Sequence, residues 1–235
     1  GEENMSKLAQ SKIAIFGIGG VGSYVAEGLA RCGIGEFILI DSDDISLTNI
    51  NRQIHALETT IGQKKTLMMK ERILAINPQA KVTTIEKLYT PESNFFNWDD
   101  DYTYIVDAVD DVKAKINLIV NANKHNLPIM SSMGTANKLD PQKFVITDIY
   151  KTHTCPLARI MRKTLKQQGI KKLKVLYSTE EPFTNYTVNF KENTSKDNSP
   201  ASTRKQPLGS ISFVPPIAGL MIAGEIVKDI CQINR

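Results

Sequence analysis

A short apolar run, Ile13, Ile15 and Phe16, stops at Gly17, and a glycine-rich turn follows at once. Gly17, Gly19 and Gly22 satisfy G-x-G-x-x-G, with an extra glycine at 20. Val21, Val25 and Leu29 then recur at helical spacing, and Phe37-Ile38-Leu39-Ile40 reads as a second buried strand capped by Asp41. Strand, glycine turn, helix, strand and an acid about twenty residues on leave few folds open. The glycines let the backbone turn tightly and approach a phosphate. The new helix offers unpaired N–H groups and a positive dipole end, and the acid accepts from ribose hydroxyls. A glycine-rich turn with no ligand is the bland alternative, and the flanking strand and helix argue against it.

The following stretch bears on which nucleotide. Asp41-x-Asp43-Asp44 and Asn49-x-Asn51-Arg52-Gln53 have no obvious use in a nicotinamide dehydrogenase. Arg52 and the two asparagines bring a fork of donors and two amides toward one crevice, which suits a triphosphate better.

With these residues the chain resembles the ubiquitin-activating-enzyme-like adenylating proteins, the ThiF, MoeB and HesA group. The shared motifs are GIGGVGS at 17–23, D-x-D at 41–43, N-I-N-R-Q at 49–53, G-Q-K-K at 62–65 and D-A-V-D-D at 107–111. TNINRQIHAL, GTANKLDP and GSISFVPPIAG further resemble the branch that dehydrates threonylcarbamoyladenosine in tRNA to a cyclic form. The resemblance runs from Leu8 to Ile230. It implies a doubly wound, mostly parallel α/β sheet of the Rossmann-like kind, with a mixed-sheet extension after residue 134. It implies ATP held by Gly17, Gly19, Gly20, Gly22, Asp41, Asp43, Asn49, Arg52, Gln53 and Lys65, with Lys65 as the β/γ-phosphate lysine. Arg52, Lys65 and Asp110 become the catalytic set, and Asp110 the Mg²⁺ ligand. The implied reaction is adenylation of a carboxylate on tRNA, then ring closure with loss of AMP. Activation of a small ubiquitin-like sulfur carrier is the alternative, sharing every ATP residue. A homodimer and sulfur-relay partner proteins are further expectations of the resemblance.

At 235 residues and 41% hydrophobic, one compact α/β domain is expected, with a nucleotide-binding half at 1–134 and a substrate and dimer half at 135–235. Twenty-nine basic against 25 acidic residues is too mild an excess to demand nucleic acid. Cys32, Cys155 and Cys231 are far apart and form no C-x-x-C pair, which fits a reducing cytoplasm and excludes the structural zinc of some relatives. The chain opens on Gly1 rather than Met, so a trimmed or processed N-terminus is expected. The longest apolar stretch, Ile211 to Val227, is broken by Pro215-Pro216 and carries Glu225. A buried core or dimer helix is therefore expected there rather than a membrane span, with Gly219 and Gly224 allowing close contact with a neighbour.

Along the chain, a helix is predicted from Ile61-Gly62 to Ile76, stopped by Asn77-Pro78, with Lys64 and Lys65 in its first turn. Lysines there oppose the helix dipole and call for an anionic partner. Val82–Ile85 and Tyr104–Val109 read as strands, the second ending in acids, of which Asp111 is the candidate helix cap and Asp110 the candidate metal ligand. Pro128–Met133 is a further strand, and Phe144–Tyr150 has the polar alternation of a sheet edge. Between Asp148 and Glu180 the chain carries eight Lys or Arg residues and no acid. Arg159, Arg162, Lys163 and Lys166 share a helical face opposite Leu157, Met161 and Leu165, and Lys171, Lys172 and Lys174 extend it. This is a solvated face or a tRNA-binding surface. Cys155 opens that basic helix and is a candidate nucleophile, with a small buried cysteine the commoner outcome. Residues 185–207 are polar, and a flexible loop over the crevice is expected.

Overall fold

A computed structural model describes residues 1–183 and 208–233. The expected flexible loop at 185–207 lies outside the described residues. Seven strands form one sheet: β1 Lys12–Phe16, β2 Glu36–Ile40, β3 Lys81–Ile85, β4 Tyr104–Asp107, β5 Ile129–Ser132, β6 Phe144–Asp148 and β7 Lys174–Ser178. Their order across the sheet is β3-β2-β1-β4-β5-β7-β6. All neighbours are parallel except β6, which runs antiparallel to β7 with Phe144 opposite Ser178. The doubly wound sheet with a mixed edge is the architecture implied by the sequence. Strand order reverses between β1 and β4, so the crevice at the carboxyl ends of those two strands is the topological switch point.

Alternation along the strands sorts the core into two layers. Ile13, Ile15, Phe37, Leu39 and Val106 face one side, with α2 (Gly22–Arg31), α3 (Lys65–Ile76) and α6 (Val214–Ile230). Ala14, Phe16, Ile38, Ile40 and Ile105 face the other, under α4 (Val112–Lys124). Next to α4 packs α5 (Pro156–Gln167), which buries Ala158, Met161 and Leu165. The lead-in before β1 is a helix, α1 (Glu2–Ala9), which buries Leu8.

The connection from β3 to β4 has no strand or helix of its own, yet it is fixed. Its Tyr89, Phe96, Trp98 and Tyr102 gather around Phe16, with ring centroids 5.0 Å from Tyr89 and 4.8 Å from Phe96. Edge-on aromatic pairs of this kind add roughly 0.5–1.5 kcal/mol beyond their buried area.

The apolar stretch near the C-terminus is the buried helix α6, and no helix among the described residues is long and apolar enough to cross a membrane. It lies against α2 through missing side chains. A Cβ on Gly219 would come within 2.5 Å of the Val21 carbonyl oxygen and 2.8 Å of Tyr24 Cβ. Gly219 therefore serves contact within the chain; Gly224 faces open space.

Strands β4 and β6 end two residues earlier than the sequence reading placed them, at Asp107 and Asp148, and two larger differences concern a helix start and a strand. The helix expected from Ile61 starts at Lys65, because Lys64 forms a β-bridge with Asp44 and the Ile45 carbonyl binds the Gly62 amide. Gly62 has φ +83° and the Gln63 amide is bound to the Thr60 carbonyl, so the chain turns before Lys65 and no helix can start earlier. Strand β7, inside the sheet, was hidden in a stretch read as a basic patch. Its first residue, Lys174, turns away from that patch, and its ammonium lies 2.6 Å from Asp229 and 3.0 Å from Glu225 on α6.

Candidate active site

The glycine turn closes on the end of β4. Gly17 has φ +88°, and a Cβ on Gly22 would lie 1.8 Å from the Gly17 carbonyl oxygen, so neither position admits a side chain. The amide of Gly17 donates to Ile40 and that of Ala108 to Phe16, which ties the ends of β1, β2 and β4 together. Helix α2 begins at Gly22 with no side-chain cap, and its Ser23 amide is bound to the Gly19 carbonyl at 3.0 Å, so the glycine turn runs straight into the helix N-terminus.

Asp41 follows β2 and folds back over this turn. Its Oδ2 accepts from the Ile18 amide at 2.7 Å and its Oδ1 from the Asp43 amide at 2.9 Å. Burial raises the Asp41 carboxyl above its ordinary range, only partly offset by Lys65 and those two amides. Lys65 opens α3 with a buried side chain, and its ammonium sits 2.7 Å from Asp43 Oδ2. The neighbouring Lys64 instead pairs with Asp44 at 2.7 Å, on the surface.

The 49–53 loop arches over the glycines. Asn49 is buried, and its side-chain carbonyl accepts from the Ser46 amide at 3.0 Å, so it shapes the loop. Arg52 lays its aliphatic stem along Gly20, while Nη1 donates to the Thr48 carbonyl and to Asn51 Oδ1, both at 2.9 Å. Pro215, from α6, closes over Gly20 from the other side. Gln53 is buried beside Gly19.

Behind the loop lies a set of buried polar atoms with no partner among the described residues: Ser23 Oγ, Gln53 Oε1, Thr66 Oγ1 and both ring nitrogens of His55. His55 is 4% exposed. Burial, with Lys65 and Arg72 nearby, pushes its pKa down to about 4, so it is a neutral imidazole at pH 7. Arg72 joins α3 to α2 through Glu27 at 2.7 Å. Burial opposes charge on Glu27, but Arg72 and Arg31 together hold its carboxyl below the usual range.

The 107–111 turn completes the rim. Asp111 caps α4, its Oδ1 accepting from the Ala114 amide at 2.8 Å. Asp110 is exposed and accepts no hydrogen bond among the described residues. A lone free carboxylate beside a phosphate cradle fits Mg²⁺, which keeps waters and phosphate oxygens as its other ligands. Among the described residues no cluster of three His, Cys, Asp or Glu could form an all-protein metal cage. Asp107, at the end of β4, is fully buried against Lys115 and Ser131. That set was missed in the sequence, though a signal existed: Lys115 falls among Val112, Ile116 and Ile119 on the apolar side of α4.

The crevice thus brings together Gly17, Gly19, Gly20, Gly22, Asp41, Asp43, Asn49, Arg52, Gln53 and Lys65, with Asp110 at its edge. The basic helix does not join them. Arg159, Lys163 and Lys166 are exposed on α5, and no ion pair reaches them among the described residues. Arg162 is different: its Nη1 donates to the Thr152 carbonyl at 2.9 Å and to Thr152 Oγ1, so it fastens α5 to the preceding turn. Cys155 is buried at the head of α5, where its sulfur accepts weakly from the Ala158 amide at 3.5 Å. That is a cap.

The sequence matches the ThiF family along residues 1–235. It is 42% identical over 235 residues to the tRNA threonylcarbamoyladenosine dehydratase of Bacillus subtilis, covering 99% of this chain and 91% of that protein. To the Escherichia coli protein of the same name it is 42% identical over 166 residues, covering 71% of this chain and 62% of that one. The fold superposes on the crystal structure of E. coli TcdA in complex with ATP with a TM-score of 0.83, at 32% identity, over 99% of this chain and 90% of that one. The same E. coli enzyme in complex with AMP gives a TM-score of 0.81 at the same identity and coverage.

Proposed function

Because this chain belongs to the ThiF family, we propose that it is an ATP-dependent tRNA threonylcarbamoyladenosine dehydratase. The observation that carries the reading is the crevice itself, in which a glycine cradle, Asp41, Arg52 and Lys65 converge at the switch point of a fold shared with an ATP-bound enzyme of that name. The alignment to the B. subtilis dehydratase over 99% of the chain extends the likeness to the substrate half.

ATP lies with its phosphates along the glycine turn and its ribose at Asp41. Two moves of this chain's residues prepare it. Lys65 exchanges its contact with Asp43 for the β/γ-phosphates, and Arg52 releases the Thr48 carbonyl to fork onto phosphate oxygens. Arg52 thereby replaces a neutral carbonyl with an anionic partner, and Lys65 replaces one exposed carboxylate with several phosphate oxygens. Asp110 would hold Mg²⁺, which supplies charge neutralisation as pyrophosphate departs. The carboxylate of the threonylcarbamoyl group forms a bond to the α-phosphorus and the bond to pyrophosphate breaks, giving an acyl-adenylate. A neighbouring atom of the same group then attacks the acyl carbon, AMP leaves, and a five-membered ring closes with net loss of water. Preorganised charge and in-line placement carry the acceleration.

The exposed row Arg159, Lys163 and Lys166, continued by Lys151, Lys171 and Lys172, supplies phosphate contacts for tRNA. The outer face of α6, with Phe213 42% and Leu220 47% exposed, is the surface for a second copy of the chain. Residues 1–134 build the nucleotide half, and the later residues the substrate half.

Pyrophosphate–ATP exchange tests the reading. Threonylcarbamoylated tRNA is expected to support exchange, and a sulfur-carrier protein with a Gly-Gly terminus is not. Exchange with the carrier alone would transfer the assignment to sulfur-carrier activation. No exchange with either, alongside tight NAD binding, would end the adenylation reading.

A further inference from the structure

Asp107 and Lys115 form an ion pair as deeply buried as any among the described residues, with side chains 0% and 1% exposed. The Lys115 ammonium lies 3.0 Å from each carboxylate oxygen, and Ser131 Oγ donates to Oδ2. The Val109 amide donates to Oδ1 at 3.3 Å. Such a pair is poor evidence for stability, since apolar groups of similar shape often do as well in its place. Its location points to another role. Asp107 is the last residue of β4, and Lys115 lies one turn inside α4, directly after the residue capped by Asp111. Asp110 is carried on the three residues between Asp107 and the cap Asp111.

We propose that Asp107, Lys115 and Ser131 are positioning residues that hold the 108–111 turn and so aim Asp110 into the nucleotide crevice. The turn has three anchors. The Ala108 amide is bound to Phe16 of β1, the Val109 amide to Asp107, and Asp111 to the first turn of α4. Lys115 and Ser131 fix the Asp107 side chain that provides the middle one, and Ser131 ties it to β5. With both carboxylate oxygens of Asp107 occupied, this acid is closed to metal and phosphate, and Asp110 alone is presented. The proposal rests on the reading of Asp110 as the Mg²⁺ ligand.

Lys115→Met alone would strand a buried carboxylate and destabilise the whole fold, so the informative variant is Asp107→Leu/Lys115→Met/Ser131→Ala. It removes every member of the set while keeping the shape of the site. Three readouts apply to the full chain: thermal midpoint, amide hydrogen exchange at 108–111, and calorimetric ATP affinity with and without Mg²⁺. The expected result is a midpoint near that of the parent, exchange at 108–111 faster by at least tenfold, and ATP affinity unchanged without Mg²⁺. The Mg²⁺-dependent gain in affinity falls at least tenfold. A triple variant with parental exchange at 108–111 overturns the proposal, whatever its activity. Asp110→Ala separates the two claims. If it leaves the Mg²⁺-dependent gain intact, Asp110 is not the ligand, and the exchange data still decide whether the buried set holds the turn.

Discussion

His55 makes acid sensitivity a quantitative matter. Its imidazole is 4% exposed, neither ring nitrogen has a partner among the described residues, and its pKa falls from 6.5 to about 4 on folding. Below pH 6.5 the unfolded chain binds a proton that the folded chain refuses until near 4, so acidification favours unfolding. The stability at stake is complete above pH 6.5, falls as pH drops through the window, and declines no further below about 4. The difference between 6.5 and about 4, at about 1.4 kcal/mol per pH unit, gives a total loss of about 3.5 kcal/mol, with a slope no steeper than about 1.4 kcal/mol per pH unit. Asp41 runs the other way, because its raised carboxyl takes up a proton first in the folded state and offsets part of the loss. The comparison must therefore be made against His55→Gln, which keeps Asp41 and removes the titrating ring. Urea unfolding in half-unit steps from about pH 7.5 to 4.5 should show the parent falling more steeply than the variant by up to one proton. Parallel profiles would refute the argument, since the imidazole would then be protonated as easily in the fold as out of it.

Four further outcomes are expected. Lys65→Ala should lower pyrophosphate exchange at least about a hundredfold with the fold intact, because its Asp43 partner is 63% exposed and can turn to water; circular dichroism with exchange rates decides this. Gly22→Ala places a Cβ 1.8 Å from the Gly17 carbonyl oxygen and should cost about 3 kcal/mol or more, a drop of roughly 6–12 °C in melting temperature. The triple change of Arg159, Lys163 and Lys166 to Glu should lower the slope of log affinity for tRNA against log salt by about 2 to 3. Arg162→Ala should instead lose about 1 kcal/mol of stability and leave that slope alone, since its guanidinium is engaged by Thr152.

What could be read in advance was local. The β1–α2–β2 unit was legible because Gly17, Gly19 and Gly22 constrain the backbone directly and their neighbours keep clean periods. Helical spacing pointed to an acid capping α4, and Asp111 is that cap, whereas Asp110 as a metal ligand came from the resemblance. What escaped depended on distant partners. Strand β7 is short, and Lys174 at its head looks like surface until Asp229 and Glu225 arrive from α6. The start of α3 was placed early because the bridge from Asp44 to Lys64 is a contact between loops. Arg162 looked like its exposed neighbours, and only the turn at Thr152 sets it apart. The crevice was visible as a collection of residue types, whereas the Asp107–Lys115–Ser131 set beneath it needed the sheet to bring Ser131 alongside.

The glycine turn belongs to the first strand, but Pro215 and Gly219 of the last helix press against Gly20 and Val21. On a ribosome adding roughly 5–20 residues per second, the walls of the nucleotide cradle are made some 10 to 40 s before its final buttress. A nascent chain would hold the recognisable fingerprint all that time and still lack the surface that keeps it in shape. ATP capture should therefore be among the last properties the chain acquires, and a messenger cut short before the codon for Pro215 should yield a protein that carries the motif and cannot use it.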